Sequence, residues 1–202
     1  MKVGNNLLFD NVNISFEKER INHILGSNGV GKSCFAKSTI GLLKYAGKIE
    51  GDSDISLIGS YSGVPQDFKL LDIRKILELH FNSNHIKSLC QLLNTSSIPN
   101  NIPIRKMSDG QKQKIKLLVF LASKPETIIL DEFTSALDKN SSLEIYKFLN
   151  DYIKVKGTLI INITHNLSDV ENMPGSYFYI SNKKITKILD KDKIFDLYIK
   201  GE

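Results

Sequence analysis

From Val12 to Phe16 apolar and polar residues alternate, the period-2 rhythm of a half-buried strand, and the surrounding pattern predicts a strand over Leu7 to Phe16. Ile21 to Leu25 is a second, apolar-rich strand that runs directly into Gly26-Ser27-Asn28-Gly29-Val30-Gly31. A helix is expected over Cys34 to Leu43, with Phe35, Ile40, Leu42 and Leu43 available for burial and with Gly41 and Gly47 marking its end. Between Lys48 and Gly63 the pattern gives short strand-like pieces separated by Gly, Asp and Ser. Two short helices follow, Asp72 to Asn82 and Asn84 to Leu93, then a loop over Asn94 to Pro103. The next helix, Asp109 to Ala122, stops before Lys124-Pro125, because a residue preceding proline avoids helical geometry. Thr127 to Leu130 and Thr158 to Ile163 read as buried strands on either side of a helix from Lys139 to Val155. A strand pair, Tyr177 to Ile180 and Ile185 to Ile188, turns across Asn182-Lys183-Lys184, and an amphipathic helix lies around Ile194 to Tyr198. Strands alternating with helices predict an α/β fold built on a layered sheet.

Composition narrows this picture. The 202 residues are 41% hydrophobic and 24% charged, which suits one domain with one well-buried core. No stretch approaches the roughly 20 apolar residues that cross a bilayer. The N-terminus, Met1-Lys2-Val3-Gly4-Asn5-Asn6, has no apolar signal core behind it. A soluble cytosolic protein is expected, with any membrane role arising through a partner. Cys34 and Cys90 lack metal-type spacing and read as reduced thiols. The net charge of +5 comes from lysines scattered along the chain without interleaved aromatics, so no nucleic acid partner is expected.

Candidate chemistry centres on Gly26-Ser27-Asn28-Gly29-Val30-Gly31-Lys32-Ser33, which fits G-x-x-x-x-G-K-[ST] between a strand and a helix. Glycines let successive backbone N–H groups converge on phosphate oxygens, and the following helix start adds partial positive charge. Lys32 is suited to the outer phosphates and the Ser33 hydroxyl to Mg²⁺. Thr127-Ile128-Ile129-Leu130-Asp131-Glu132 is an apolar strand ending in two acids, and ligands of α/β sheets bind at that end. Asp131 there suits the Mg²⁺ shell and Glu132 the attacking water.

With those two motifs in place the sequence resembles an ABC (ATP-binding cassette) ATPase over essentially its whole length. Gln66 in Val64-Pro65-Gln66-Asp67-Phe68 resembles the Q-loop, and Met107-Ser108-Asp109-Gly110-Gln111 is similar to the signature L-S-G-G-Q. Ser135-Ala136-Leu137-Asp138 looks like the D-loop, and His165 in Ile163-Thr164-His165-Asn166 like the switch histidine. The resemblance implies a P-loop NTPase fold. It has a mainly parallel sheet core (about residues 1–66 and 124–202), a small antiparallel β part and a short helical insert (about 67–123).

It also implies ATP and Mg²⁺ as ligands. Gly26 to Ser33, Cys34, Ser108, Gly110 and Gln111 would bind nucleotide, with Ser33, Gln66 and Asp131 at the metal and Glu132, His165 and Gln66 in catalysis. Two such chains would pair head to tail around two ATP molecules, each site taking Ser108 and Gly110 from the opposite chain. The implied work is transport, weakly export, through a separate membrane permease, with the chain peripheral on the inner face of the membrane. The docking platform would be the insert, where Phe68, Leu70, Leu71, Phe81 and Leu89 are either exposed or simply its packing. A non-transport ABC ATPase acting on a scaffold, such as one for iron–sulfur cluster assembly, is the alternative.

Two departures stand out. Val3 occupies the position where many members carry an adenine-stacking aromatic, with Phe9 and Phe16 as possible substitutes. Asp109 replaces a glycine of the signature, and its charge is expected to face away from the phosphate.

Overall fold

In the computed structural model, which describes residues 1–51 and 54–200, the chain opens with a two-stranded antiparallel hairpin, Lys2–Val3 (β1) and Asn6–Leu7 (β2). The strand expected through Phe16 does not form. Val12, Ile14 and Phe16 do pack against the core beside Phe35 and Phe178. Their backbone has no ladder partner among the described residues, and a cleft of about 400 Å³, lined by Val12, Ile14, Tyr45 and Ile49, lies beside this segment. Alternation secured the packing but not the pairing.

Ile21–Gly26 (β3) leads through the glycine loop into helix Lys32–Thr39 (α1), which starts two residues before and stops four residues short of the expected Cys34 to Leu43. It is capped at Ile40 ahead of Gly41, so that Ile40 and Leu42 are exposed rather than buried. Of the strand pieces expected between Lys48 and Gly63, Ile55–Gly59 (β4) forms, and part of that stretch (Asp52 and Ser53) lies outside the described residues. Helices Leu70–His80 (α2), Ser83–Leu92 (α3) and Asp109–Leu121 (α4) build the insert. Single 3₁₀ turns, Thr95–Ser97 and Ile104–Lys106, interrupt the connecting segment. Thr127–Asp131 (β5), Lys139–Lys156 (α5), Leu159–Ile163 (β6), Leu167–Asn172 (α6), Gly175–Ser181 (β7), Lys184–Ile188 (β8) and Lys191–Lys200 (α7) complete the chain.

The main sheet has the order β4-β5-β6-β3-β7-β8, parallel except for β8, which pairs antiparallel with β7. Asn182 and Lys183 make that turn with φ of 47° and 60°, the left-handed geometry a tight hairpin needs. β3 and β5 are buried at every residue, β5 through the apolar run Ile128-Ile129-Leu130 and β3 with two polar residues, Asn22 and His23, enclosed among Ile21, Ile24 and Leu25.

One hydrophobic cluster fills the sheet face under α5 with Ile128, Leu130, Ile160 and Leu149 and continues without a break into the insert through Leu70, Ile86, Leu89 and Ile115. Each of these side chains contributes about 1.5–3 kcal/mol on full burial. The opposite face is covered by Phe9, Phe35 and Ala36, and a third cluster seats α6 and α7 on β7 and β8 through Leu25, Val170, Tyr179 and Ile194. The three sheet strands β3, β5 and β6 therefore end their carboxyl termini side by side, at the glycine loop, Glu132 and His165.

Candidate functional site

Gly31 sits at the N-cap of α1 with φ of 104°, a conformation in which a side chain is strained. That turn leaves the first N–H groups of α1 (Lys32, Ser33, Cys34) without helical partners, since the first i to i−4 bond is Phe35 to Gly31 at 2.9 Å. They border a recess of about 170 Å³ lined by Asn28, Gly29, Gly31, Lys32, Ser33, Cys34 and Glu132. The Lys32 ammonium folds back into the loop and donates to the carbonyls of Gly26 (2.7 Å) and Ser27 (3.0 Å). Burial pushes it below the usual lysine range, a shift that Glu132 and Asp131 oppose. A loop of free amides around a desolvated cation is suited to a polyphosphate.

Asp131 ends β5 at 4% exposure. Its Oδ1 accepts from the Ser33 hydroxyl at 3.2 Å and its Oδ2 from the Tyr61 hydroxyl at 3.2 Å. Burial raises the Asp131 carboxyl above the ordinary range, the two hydroxyl donors pull it down, and Glu132 pushes it up again. Ser33 and Asp131 thus present two hard oxygen ligands side by side, and this donor chemistry fits Mg²⁺.

Glu132 is held at φ 52°, unusual for a side-chain-bearing residue, with its N–H on the Ile163 carbonyl at 2.9 Å. That bond lashes the turn after β5 to the end of β6, two residues before His165. His165 Nδ1 lies 3.3 Å from Glu132 Oε1.

The remaining sequence candidates lie outside the recess. Gln66 is exposed and its amide donates to the Val64 carbonyl at 2.9 Å. It lines a second cleft that also reaches Glu132. Ser108 caps α4, accepting from the Gln111 N–H at 3.3 Å, while the Gln111 side chain accepts from the Ser108 N–H at 3.1 Å. Ser108 and Gln111 therefore serve the helix start, and the Ser108 side is open to solvent. Gly110 is buried, and a Cβ added there would lie 2.3 Å from Ser141 Oγ. The Asp109 carboxylate turns along its own helix to Lys112 at 3.2 Å. Phe9 is 2% exposed and packs edge-on to Phe35, while Phe16 is packed against Phe178 with ring centres 5.0 Å apart. Phe9 thus has no face to offer a base.

Sequence reasoning missed two features. Tyr61, whose hydroxyl burial and Asp131 together hold protonated, has no motif around it, and Lys37 rests over its ring at 4.6 Å. A buried polar network also lies behind the site. Asp169 on α6 accepts from Thr134 and Tyr146 at 2.7 Å each and from Asn162 at 3.3 Å. Asn162 also meets His23 Nδ1 at 3.2 Å. Because the Met173 carbonyl, 2.7 Å from His23 Nε2, can only accept, His23 is the neutral Nε2–H tautomer. Burial lowers its pKa to about 4.

The fold and the recess define a nucleotide-binding domain of the P-loop class. Comparison with known proteins sharpens this. The family model described as ABC transporter matches residues 9–135. The chain is 39% identical to the probable peptide export ATP-binding protein YydI of Bacillus subtilis (strain 168), over 98% of this chain and 96% of that protein. It is 32% identical to the zinc import ATP-binding protein ZnuC of Rickettsia conorii, over 84% of this chain and 74% of that protein. A nucleotide-free ATP-binding cassette from an ABC transporter superposes with a TM-score of 0.78 at 17% identity, covering 97% of this chain and 90% of that one, which supports the fold. The chain belongs to the ABC transporter family as an ATP-binding, ATP-hydrolysing subunit. No helix among the described residues is long and apolar enough to cross a membrane.

Proposed function

We propose that this chain hydrolyses ATP with Mg²⁺ at the Gly26–Ser33 recess and that two copies, or one copy and a sister chain, pair head to tail to do so. The observation that carries this reading is one recess lined by Lys32, Ser33 and Glu132, with Asp131 hydrogen bonded to Ser33 and His165 3.3 Å from Glu132. Ser33 and Asp131 would hold Mg²⁺, which when bound supplies charge neutralisation on the phosphate oxygens. Lys32 exchanges its loop carbonyls for phosphate oxygens. Glu132 orients the attacking water and accepts its proton, and His165, already beside Glu132, turns its other face to the γ-phosphate.

Pairing is supported by the exposure of Ser108 at the start of α4, whose hydroxyl can donate and which lines no part of the recess in its own chain. Closure around ATP and release after cleavage make the pair a ligand-biased two-state element. Work on a membrane permease is supported by three exposed apolar side chains of the insert, Phe68, Leu71 and Phe81, at 38%, 43% and 37% exposure. Leu70 and Leu89 are core and take no part. The chain would thus sit on the inner face of the membrane through that permease. The near full-length similarity to a protein named for peptide export supports a peptide as cargo and export as direction. Nothing observed favours the scaffold-assembly alternative.

Light scattering of the Glu132→Gln variant tests the pairing. A dimer with Mg²⁺-ATP and a monomer with ADP are expected. A monomer under both conditions, with ATP bound, overturns the head-to-tail reading.

A further inference from the structure

A second cleft of about 350 Å³ adjoins the phosphate recess, walled by Gln66, Lys112, Gln113, Lys116 and the turn that begins at Glu132. Glu132 is the one residue that lines both spaces, so it stands between them. The side chains of the second cleft have the character of an anion site. The Lys116 ammonium lies 3.3 Å from the Gly59 carbonyl and forms no ion pair among the described residues. Burial holds it below the usual lysine range and no nearby carboxylate opposes the shift. Lys112 is one turn earlier on the same helix face. Gln113 donates its amide to the Phe133 carbonyl at 2.9 Å, and its Oε1 is buried without a donor. Of the two carboxylates on the wall, Asp109 pairs with Lys112 and Glu132 lies 3.3 Å from His165 Nδ1.

We infer that this cleft is a product subsite for orthophosphate, held by Lys116, through which the cleaved phosphate leaves. The inference rests on the reading of the Gly26–Ser33 recess as the triphosphate site. In an in-line displacement the phosphoryl group moves away from the leaving oxygen and towards the attacking water. The water lies at Glu132, so the product anion moves towards the second cleft, while the ADP phosphates close the way back. Orthophosphate carries acceptor oxygens for Lys116 and also P–OH donors for an unpaired amide oxygen such as that of Gln113. Sulfate at neutral pH has only the acceptors. Lys116 thereby acquires a counter-charge that the nucleotide-free chain does not provide.

The test is calorimetric titration of sodium phosphate, and separately of ADP, into the whole nucleotide-free chain at fixed ionic strength. Lys116→Met should weaken phosphate about tenfold, the worth of one charge-assisted hydrogen bond, and leave ADP unchanged. Lys32→Ala should do the reverse. Lys116→Gln serves if the methionine variant does not fold. Equal phosphate affinity with and without the lysine overturns the inference, as does phosphate binding that disappears with Lys32→Ala alone. Sulfate binding as tightly as phosphate, with the same Lys116 dependence, overturns the assignment to phosphate. Failure of the unaltered chain to bind ADP would instead strike the reading of the Gly26–Ser33 recess.

Discussion

Gly110 stands in the signature segment, yet its own chain gives it a steric reason to lack a side chain. A Cβ built there lies 2.3 Å from Ser141 Oγ and 2.7 Å from Ser141 Cβ. Rotating the serine can relieve the first contact by breaking its 2.7 Å bond to Asp138, the cap of α5. The second contact is fixed to the α5 backbone, so the starts of α4 and α5 must move apart. Overpacking of this kind costs about 1–3 kcal/mol. For a chain of this size each kcal/mol lowers the melting temperature by about 2–4 °C, so Gly110→Ala should melt about 2–12 °C below the unaltered protein without nucleotide. The double variant Gly110→Ala/Ser141→Gly removes the clash, and a double-mutant cycle should return a favourable coupling of about 1–2 kcal/mol. Calorimetry on the four proteins decides it. A Gly110→Ala melt indistinguishable from that of the parent, or strictly additive single effects, refutes the packing explanation.

Other expectations follow from the buried network and the loop. His23 titrates at about 4 when folded and near 6.5 when unfolded, so between those values the unfolded chain binds more protons. Stability from this residue is complete above pH 6.5 and is lost as the pH falls towards 4. It amounts to about 3 kcal/mol, and urea unfolding of His23→Gln should show a correspondingly flatter pH dependence. Asp169→Ala strands the hydroxyls of Thr134 and Tyr146 and the Asn162 amide, and should cost about 2–5 kcal/mol in the same assay. Lys32→Ala should lower ATP affinity by at least about tenfold in a fluorescent-nucleotide displacement assay, with the melting temperature held within about 2 °C, because a desolvated ammonium is removed along with its phosphate contact.

The parallel sheet was legible because its strands carry short apolar runs punctuated by glycine and acidic residues, as at Ile24-Leu25-Gly26 and Ile128 to Glu132. The helices of the insert were legible within two residues, since a cap such as Ser108 announces itself locally, whereas Asn82, expected to end one helix, caps the next. What escaped were features with no local signal. The alternation of Val12 to Phe16 says which side chains are buried but not whether a neighbouring strand comes within reach. Helix α6 spans six residues, Leu167 to Asn172, too few to establish a period. Tyr61 reaches Asp131 across 70 positions and His23 meets Asn162 across 139, distances that only the folded sheet closes. Of the candidate site, the loop and the acid pair were visible as contiguous motifs. The cation at Lys116 read as one more lysine on a helix.

The most direct test of the account is phosphate release by Glu132→Gln beside the parent chain, with ATP binding measured on the same samples. Expected is a fall in turnover of at least about a hundredfold, the scale of a general base, with ATP binding retained. Turnover within a few-fold of the parent would mean that another group activates the water, and the chemistry assigned to the end of β5 would be wrong.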